Sequence, residues 1–393
     1  TPIKSSAASD VYKRQMVYTM PEFLERRYNP QSRTILSVIS LVSYVLTKVA
    51  VTVYAGGLVF QQVFGIKELW GIDFFWIAAI GLVVLTALYT IFGGMKSVLY
   101  TSVLQTPILL LGSLIILVLG FKELGGWDEM MRVCGAVTVN DYGDTMTNLI
   151  RSNDDANFPW LGALIGSAII GFWYWCTDQF IVQRVLSGKN EKEARRGTIF
   201  GAYLKLLPVF LFLIPGMIAF ALHQKYIGAG GEGFLPMLEN GTANADAAFP
   251  TLVAKLLPAG VKGLVVCGIL AALMSSLASL FNSSAMLFTI DFYKRFRPQT
   301  SEKKLVGIGQ VATVVIVILG ILWIPIMRSV GDVLYTYLQD VQSVLAPGIA
   351  AAFLLGICWK RTSAQGGMWG LISGMVILSL IHISEPTRPR LIS

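Results

Sequence analysis

The sequence predicts an all-α polytopic membrane protein. Of its 393 residues, 54% are hydrophobic and only 14% are charged, whereas about 25% of residues are charged in a typical soluble protein. Apolar runs of about 20 residues, enough to cross roughly 30 Å of hydrocarbon, recur along the chain. The segments between these runs alternate in charge, as the loops of a membrane protein do. These three observations favour a bundle of membrane-spanning helices over a soluble domain.

The apolar runs account for eight complete helices and the start of a ninth. The eight predicted spans are 35–60, 74–92, 98–120, 160–182, 199–222, 261–290, 305–327 and 334–358. The incomplete one covers 367–377, and its eleven residues are too few to cross a bilayer.

Basic residues concentrate in alternate loops. Sixteen Lys and Arg residues lie in the loops 21–34, 93–97, 183–197, 291–304 and 359–366. The longest of the other loops, 121–157, is acidic. By the positive-inside rule the basic loops face the cytoplasm, so the protein is expected to be multi-pass in the plasma (cell inner) membrane. This distribution explains the net charge of +8 without a nucleic-acid partner. Oligomeric state leaves no signature in the sequence.

Cysteine and histidine usage argues against an enzyme or a transition-metal site. The four cysteines, at 134, 176, 267 and 358, have no metal-binding spacing. The two histidines, His223 and His382, are 159 positions apart and form no metalloprotease motif. We therefore expect no catalytic residues and no cofactor beyond a coupling ion.

The two ends resemble translated adaptors of DNA sequencing libraries. Residues 5–15 read "SSAASDVYKRQ" and residues 378–388 read "LSLIHISEPTR". We expect 1–15 and 378–393 to be adaptor-derived. Residues 16–377 would then be a partial transmembrane domain, truncated at both ends.

Polar side chains inside membrane spans are costly and are functional candidates by default. Lys205, with Pro208 and Pro215 beyond it, either extends its ammonium to the interface or donates hydrogen bonds to a polar solute. Lys48 is a second charge within a span, and its possible partners are Asp178 and Asp340.

Aromatic residues at 173–175 suit a sugar, whose C–H faces stack on rings while its hydroxyls need hydrogen bonds. Trp173, Tyr174 and Trp175 stand directly before Thr177 and Asp178. The alternative is an aromatic belt at the membrane interface. Further along the chain, Gln339 and Asp340 precede a Pro-Gly pair at 347–348, which we expect to interrupt its helix.

Three small residues predict an alkali-cation site. Ala272, Ser275 and Ser276 are spaced i, i+3 and i+4, and therefore lie on one helical face. A carbonyl and two hydroxyls are hard oxygen ligands. The alternative is that small residues only allow the helices to approach closely.

Several motifs resemble the sodium/solute symporter family, most closely its sodium–glucose cotransporter branch. They are "YTMPEFLERRY", "ALYTIFGGMKSVLYTSVLQT", "FWYWCTDQFIVQRVLSGKN", "YLKLLPVF", "LMSSLASLFNSSAMLFTIDFYK" and "PGIAAAFLLGICWKR". The resemblance implies a LeuT-like core of two inverted five-helix repeats, in which sodium influx drives uptake of a small sugar. Uptake of myo-inositol, another polyol or an organic anion is the alternative, and a non-transporting sodium-gated sugar sensor is a further one.

The resemblance also implies roles for single residues. Sodium would be bound by the Ala272 carbonyl and the Ser275 and Ser276 hydroxyls. The sugar would receive hydrogen bonds from Lys205 and Gln339. Tyr174 would be the inner gate, with Trp173 and Trp175 beside it, and Tyr335 would be an outer-gate aromatic.

Three positions depart from the family pattern. Ser102 stands where the branch commonly has aspartate, and Ala278 stands where some two-sodium members have threonine. Both departures favour one sodium per sugar. Gly171 replaces an asparagine that binds sugar in a bacterial relative, which leaves the sugar's identity open.

Overall fold

Apolar helices dominate the part of the chain that the structure describes. The structure is a computed structural model and describes residues 17–155, 158–238, 241–330 and 334–384. Seven of its helical segments are long and apolar enough to cross a membrane: Pro30–Phe64, Phe74–Ile91, Val98–Leu124, Glu191–Gly228, Ala259–Phe296, Glu302–Pro325 and Leu338–Cys358. The bent pair Trp160–Cys176 and Gln179–Leu186, kinked by 47°, makes an eighth if counted as one span. The predicted polytopic helical class is confirmed.

Most helices follow one another with short connections, and the two longest connections are 136–159 and 229–247. In chain order they are α1 Met20–Arg27, α2 Pro30–Ser43, α3 Ala50–Phe64, α4 Phe74–Leu124, α5 Trp127–Gly135, α6 Trp160–Cys176, α7 Gln179–Leu186, α8 Glu191–Leu204, α9 Ile214–Gly228, α10 Ala248–Leu256, α11 Ala259–Met286, α12 Lys294–Phe296, α13 Glu302–Val330, α14 Leu334–Cys358 and α15 Ala364–Ser384. A two-stranded antiparallel ribbon, β1 Glu68–Leu69 and β2 Ile72–Asp73, joins α3 to α4.

Local sequence sets several helix ends. Thr19, Asn29 and Asn190 accept hydrogen bonds from the first-turn amides of α1, α2 and α8, because Thr and Asn side chains are good N-caps. Gly65 and Gly125 end α3 and α4 with positive φ angles of 65° and 110°, a conformation that glycine adopts without steric cost.

Three segments are π-helical, with wider turns than an α-helix: Tyr44–Val49, Val209–Leu213 and Leu287–Tyr293. Such segments are frequent at functional sites. Two of them carry a charged residue inside a span, Lys48 in the first and Asp291 in the third.

Helices α4 and α11 pack closely because glycines line their contact. A Cβ added to Gly112 of α4 would lie 2.7 Å from Val265 of α11, and one added to Gly268 would lie 3.0 Å from Ile108. Small residues of this kind let membrane helices approach each other. Farther along the same contact, Phe281 and Leu277 of α11 are fully buried. This contact brings the polar faces of α4 and α11 together.

The predicted loop 93–97 is wrong in its secondary structure, since α4 continues through it as one helix of 51 residues. The two apolar windows that flank it, 74–91 and 98–124, each remain long enough to span. A glycine within a helix costs only about 1 kcal/mol, so Gly93 and Gly94 do not suffice to end it.

The predicted interruption at Pro347-Gly348 is also wrong, because α14 is helical from Leu334 to Cys358. Neighbouring helices make proline tolerable within membrane helices. Gly348 has a packing role instead: a Cβ added to Gly374 of α15 would come within 2.8 Å of the Gly348 Cα.

Two further boundaries differ from the prediction. Lys205 lies within the span Glu191–Gly228, but at the C-cap of α8, which ends at Leu204, and not inside the helix. The ring of Pro208 clashes with the carbonyl four residues earlier, so α8 cannot continue. At the other end of the chain, α15 runs to Ser384 and includes 378–384. Residues 1–15 and 385–393 of the predicted adaptor segments lie outside the described residues.

Candidate cation and solute sites

The predicted sodium ligands lie in the middle of α11, against α4. Ser275 is 7% exposed, and its hydroxyl lies 2.6 Å from the Ser102 hydroxyl of α4. Ala272 and Ser276 are half-buried on the same face. The structure therefore places a third hydroxyl, that of Ser102, beside the predicted ligand set, contributed by another helix.

Two other serines of α11, Ser279 and Ser283, donate hydrogen bonds within the helix. The Ser279 hydroxyl donates to the Ser275 carbonyl at 2.9 Å, and the Ser283 hydroxyl donates to the Ser279 carbonyl at 2.8 Å. Serine commonly donates to the carbonyl four residues earlier in this way. Ser283 therefore needs no ligand, whereas the Ser275 side chain is directed at α4.

The oxygens of Ala272, Ser275, Ser276 and Ser102 fit a sodium ion chemically. They are neutral, hard ligands, and alkali and alkaline-earth cations select such ligands over sulfur or nitrogen. A site built only from Ala272, Ser275 and Ser276 has three ligands on one helical face, so a second element must complete the coordination shell. Ser102 is one oxygen that the structure places there.

Asp178 is the centre of a buried polar cluster at the kink between α6 and α7. Its carboxylate accepts hydrogen bonds from the Tyr44 hydroxyl and from the Phe180 amide, and it pairs with the Lys48 ammonium. The side chains of Lys48 and Asp178 are 10% and 1% exposed. Of the two partners proposed for Lys48, the structure selects Asp178.

Four aromatic rings surround the Lys48 ammonium. The distances from Nζ to the ring centroids are 4.8 Å for Tyr44, 5.2 Å for Trp173, 5.4 Å for Tyr174 and 5.3 Å for Phe180. Each lies within the range of a cation–π interaction. Lys48 is thus held by a carboxylate and an aromatic cage. Because Trp173 and Tyr174 belong to the cage, Lys48 positions the aromatic end of α6.

The three aromatics predicted to contact sugar face different ways, because successive helical residues are about 100° apart. Trp173 is 4% exposed, Tyr174 is half-buried and Trp175 is 38% exposed. The Tyr174 ring packs edge-on against Trp175 at 5.4 Å between centroids. A small cavity of about 10 Å³, room for one water molecule, lies behind Trp173 and is lined also by Tyr44, Thr177 and Asp178.

Lys205 lies beside Trp175, with Nζ 5.4 Å from the centre of that ring. Its side chain is exposed, as is part of Trp175. Two of the predicted sugar contacts are therefore neighbours on one accessible face, and the end of α8 at Leu204 places Lys205 there.

The remaining predicted residues lie on α14, which packs against α6. Gln339 and Asp340 are half-buried, and the Asp340 backbone carbonyl accepts from Ser343 at 2.7 Å. No contact between Gln339 and Lys205 is seen among the described residues. Tyr335, the predicted outer gate, lies in α14 with its side chain outside the described part of the chain.

A second buried cluster of charged residues was not predicted from the sequence. Asp291, with a fully buried side chain, pairs with Arg33 at 2.6 Å and accepts from the Thr19 hydroxyl at 2.8 Å. Arg33 also binds Glu25 at 2.5 Å. The available signal is the position of Asp291 directly after the predicted span 261–290.

The second missed residue is Arg184, which the sequence analysis treated only as the first charge of a basic loop. Its guanidinium donates to the Ser279 hydroxyl at 2.5 Å and lies 5.5 Å from the centre of the Phe180 ring. It therefore joins α7 to the serine face of α11, one turn from Ser275.

Comparison with known proteins agrees with this architecture. The profile of the sodium:solute symporter family matches residues 3–374. The chain is 37% identical to the human sodium/myo-inositol cotransporter 2 over 95% of its own length and 56% of the relative's. It is 37% identical to the bovine sodium/mannose cotransporter SLC5A10 (96% of this chain, 66% of the relative). It is 38% identical to the mouse sodium/glucose cotransporter 4 (95% and 56%).

A solved structure shares the fold. The substrate-bound, outward-open structure of a Na⁺-coupled sialic acid symporter superposes with a TM-score of 0.73 at 22% identity, over 95% of this chain and 79% of that one. The chain thus has the LeuT-like transporter fold, and it spans between about half and two thirds of the curated relatives it matches. By the family match along nearly its whole length, the chain belongs to the sodium:solute symporter family.

Proposed function

We propose that the protein is a sodium-coupled symporter that imports a small sugar or polyol by alternating access. The observation that carries the proposal is the contact between the hydroxyls of Ser275 and Ser102, which lie on two closely packed membrane helices. It lies in the same bundle as an aromatic and lysine surface suited to a polyhydroxylated solute. The family of transporters to which the chain belongs supports transport over an enzymatic role.

In the proposed mechanism sodium binds at the Ala272 carbonyl and the Ser275 and Ser276 hydroxyls. The solute binds among Lys205, Gln339 and Tyr174, with Trp173 and Trp175 supporting the ring of Tyr174. Tyr174 acts as the inner gate and Tyr335 as the outer one. Sodium must bind the outward-open state better than the inward-open one, because only differential affinity couples the two movements.

We propose one sodium per solute, since Ser102 lacks the carboxylate that aspartate would give a second site, and Ala278 lacks the hydroxyl that threonine would give it. Each charge that crosses 100 mV contributes about 2.3 kcal/mol. The plasma membrane, whose potential is negative inside, would supply that force.

The cargo is the open choice within this proposal. The relatives include transporters named for myo-inositol, mannose and glucose. All three solutes present a ring of hydroxyls, which suits donors such as Lys205 and Gln339. Myo-inositol is therefore the second candidate, alongside glucose-like sugars.

Uptake into proteoliposomes tests the function. We would reconstitute the full-length protein that includes this chain and impose an inward sodium gradient. Uptake of radiolabelled glucose and of radiolabelled myo-inositol would be measured separately. Accumulation that stops when choline replaces sodium is expected. Equal uptake without sodium would contradict coupling, and sodium currents without accumulation would indicate a sensor.

A further inference from the structure

We infer that Arg184 sets the sodium affinity of the α11 site by placing a fixed positive charge on its cytoplasmic side. The inference rests on the proposed sodium site and adds a residue that determines its affinity. Arg184 was not among the predicted ligands, and the proposed mechanism does not use it.

The hydrogen bonds lead from Arg184 to the proposed ligands. Its Nη2 donates to Ser279 Oγ at 2.5 Å, Ser279 Oγ donates to the Ser275 carbonyl at 2.9 Å, and the Ser275 hydroxyl meets Ser102. Ser279 is one helical turn beyond Ser275. The guanidinium is therefore anchored to the same face of α11 that carries the ligands.

The charge of Arg184 is not neutralised by an acid nearby. Within the described part of the chain, no carboxylate forms an ion pair with it, and its Nε is buried with no hydrogen-bond partner. A guanidinium stays protonated under all physiological conditions. A sodium ion bound at Ser275 would therefore be repelled by this charge.

The direction of α11 defines on which side the charge lies. The helix runs from the outer segment before Ala259 to the basic loop 291–304, so Ser279 lies between Ser275 and the cytoplasm. A sodium ion that moves from Ser275 and Ser276 towards the cytoplasm would pass the Arg184 guanidinium. Tyr89, whose hydroxyl donates to the Met274 carbonyl at 2.7 Å, lies on α4 at this level.

The expected size of the effect follows from Coulomb's law. One turn of helix rises about 5.4 Å, which puts the two charges on the order of 8–10 Å apart. At an effective dielectric constant of about 20, removal of the guanidinium charge should strengthen sodium binding on the order of tenfold.

The test measures sodium binding at equilibrium in the complete protein in nanodiscs. We would titrate sodium against choline at constant ionic strength and follow tryptophan fluorescence and the melting temperature. Arg184→Gln and Arg184→Met should lower the sodium concentration at half-saturation about tenfold, and Arg184→Lys, which keeps the charge, should leave it within about threefold. Arg196→Gln removes an exposed charge on α8 and is the matched control, expected to change nothing.

A further variant leaves Arg184 intact. Ser279→Ala removes the anchor of the guanidinium, so the charge can move away and the half-saturation concentration should fall two- to threefold. If Ser279 were instead a sodium ligand, the concentration would rise.

The outcomes separate the inference from the function on which it rests. A wild-type protein with no sodium-specific response would overturn the sodium site itself, and with it this role. A wild-type response that the neutral Arg184 variants leave unchanged, or an equal shift in Arg184→Lys, would overturn only the role of the charge. An increase in half-saturation concentration in Ser279→Ala would do the same.

Discussion

Hydroxyl groups within a membrane helix either satisfy their own backbone or bind something else. Ser279 and Ser283 donate to the carbonyls four residues before them, whereas Ser275 is directed at Ser102 on another helix. The two kinds of serine are indistinguishable by residue type. Their different partners predict different consequences of removing each hydroxyl.

Ser276→Ala should raise the sodium concentration for half-maximal uptake several-fold, because a proposed ligand oxygen is lost. Ser283→Ala is the matched control, since its hydroxyl only donates within α11. Sodium-dependent uptake in proteoliposomes measures both. Equal sodium dependence in the two variants would remove Ser276 from the site.

Lys205→Ala should lower the affinity for solute with little change in sodium binding, because the proposed loss is of hydrogen bonds to the solute, each worth about 1.5–3 kcal/mol with a charged donor. Lys192→Ala, an exposed lysine on the same helix, is the control. The concentration of solute at half-maximal uptake is the measurement. An unchanged solute affinity in Lys205→Ala would indicate that the Lys205 ammonium extends to the membrane interface, the alternative that the sequence left open.

At the scale of elements, the kinked pair α6–α7 is fixed by charge and the pair α4–α11 by close packing. Asp178 caps α7 and binds Lys48 and Tyr44 from the first π-helical segment. On the cytoplasmic side, Arg27 of α1 donates to the carbonyls of Gly356 and Trp359 at the end of α14. Basic side chains at a helix C-terminus satisfy carbonyls that lack partners in the helix.

Breaking the Lys48–Asp178 pair should destabilise the protein strongly. Lys48→Met and Asp178→Asn each leave one charge buried without its partner, which costs about 3–5 kcal/mol. The double variant should lose less than the sum of the two single losses. Melting temperatures in detergent measure this double-mutant cycle. Additive losses would show that the pair is not coupled.

The glycine contact predicts a second effect at this scale. Gly112→Ala places a Cβ 2.7 Å from a methyl group of Val265, so the Val265 side chain must move, and we expect α11 to shift with it and to disturb the Ser102–Ser275 contact. Gly263→Ala, on α11 with open space around its Cα, should be tolerated. Sodium-dependent uptake of both variants, at matched expression, is the measurement, and an unaffected Gly112→Ala would contradict a tight contact.

For the whole molecule, orientation in the membrane follows from the loops. The segment 136–155 is arranged around Asp144, which accepts from the Asn140 side chain at 2.9 Å and the Ser152 amide at 2.7 Å. These hydrogen bonds hold the pKa of the Asp144 carboxyl below its usual value. Three spans separate the acidic loop from the basic loop 291–304 when the bent pair α6–α7 counts as one, so we expect the two loops on opposite sides of the membrane.

Asn148→Cys should therefore react with a membrane-impermeant maleimide in intact cells, and Ser301→Cys should react only after the membrane is opened. Both substitutions are made in a background without the exposed Cys267 and Cys358. Gel shift of the labelled protein is the measurement. The reverse pattern would invert the topology and with it the cytoplasmic position of Arg184.

The sequence by itself determined the helical membrane class and the approximate spans, whereas the orientation and the candidate ligands on α11 stay predictions. These depend on hydropathy, loop charge and helical spacing, which are local properties. Only the tertiary structure decided that Asp178 rather than Asp340 pairs with Lys48, that Ser102 meets Ser275 and that Arg184 reaches Ser279. Each of these contacts joins residues 95 or more positions apart. Helix packing sets such contacts, and no pattern along a single helix encodes them.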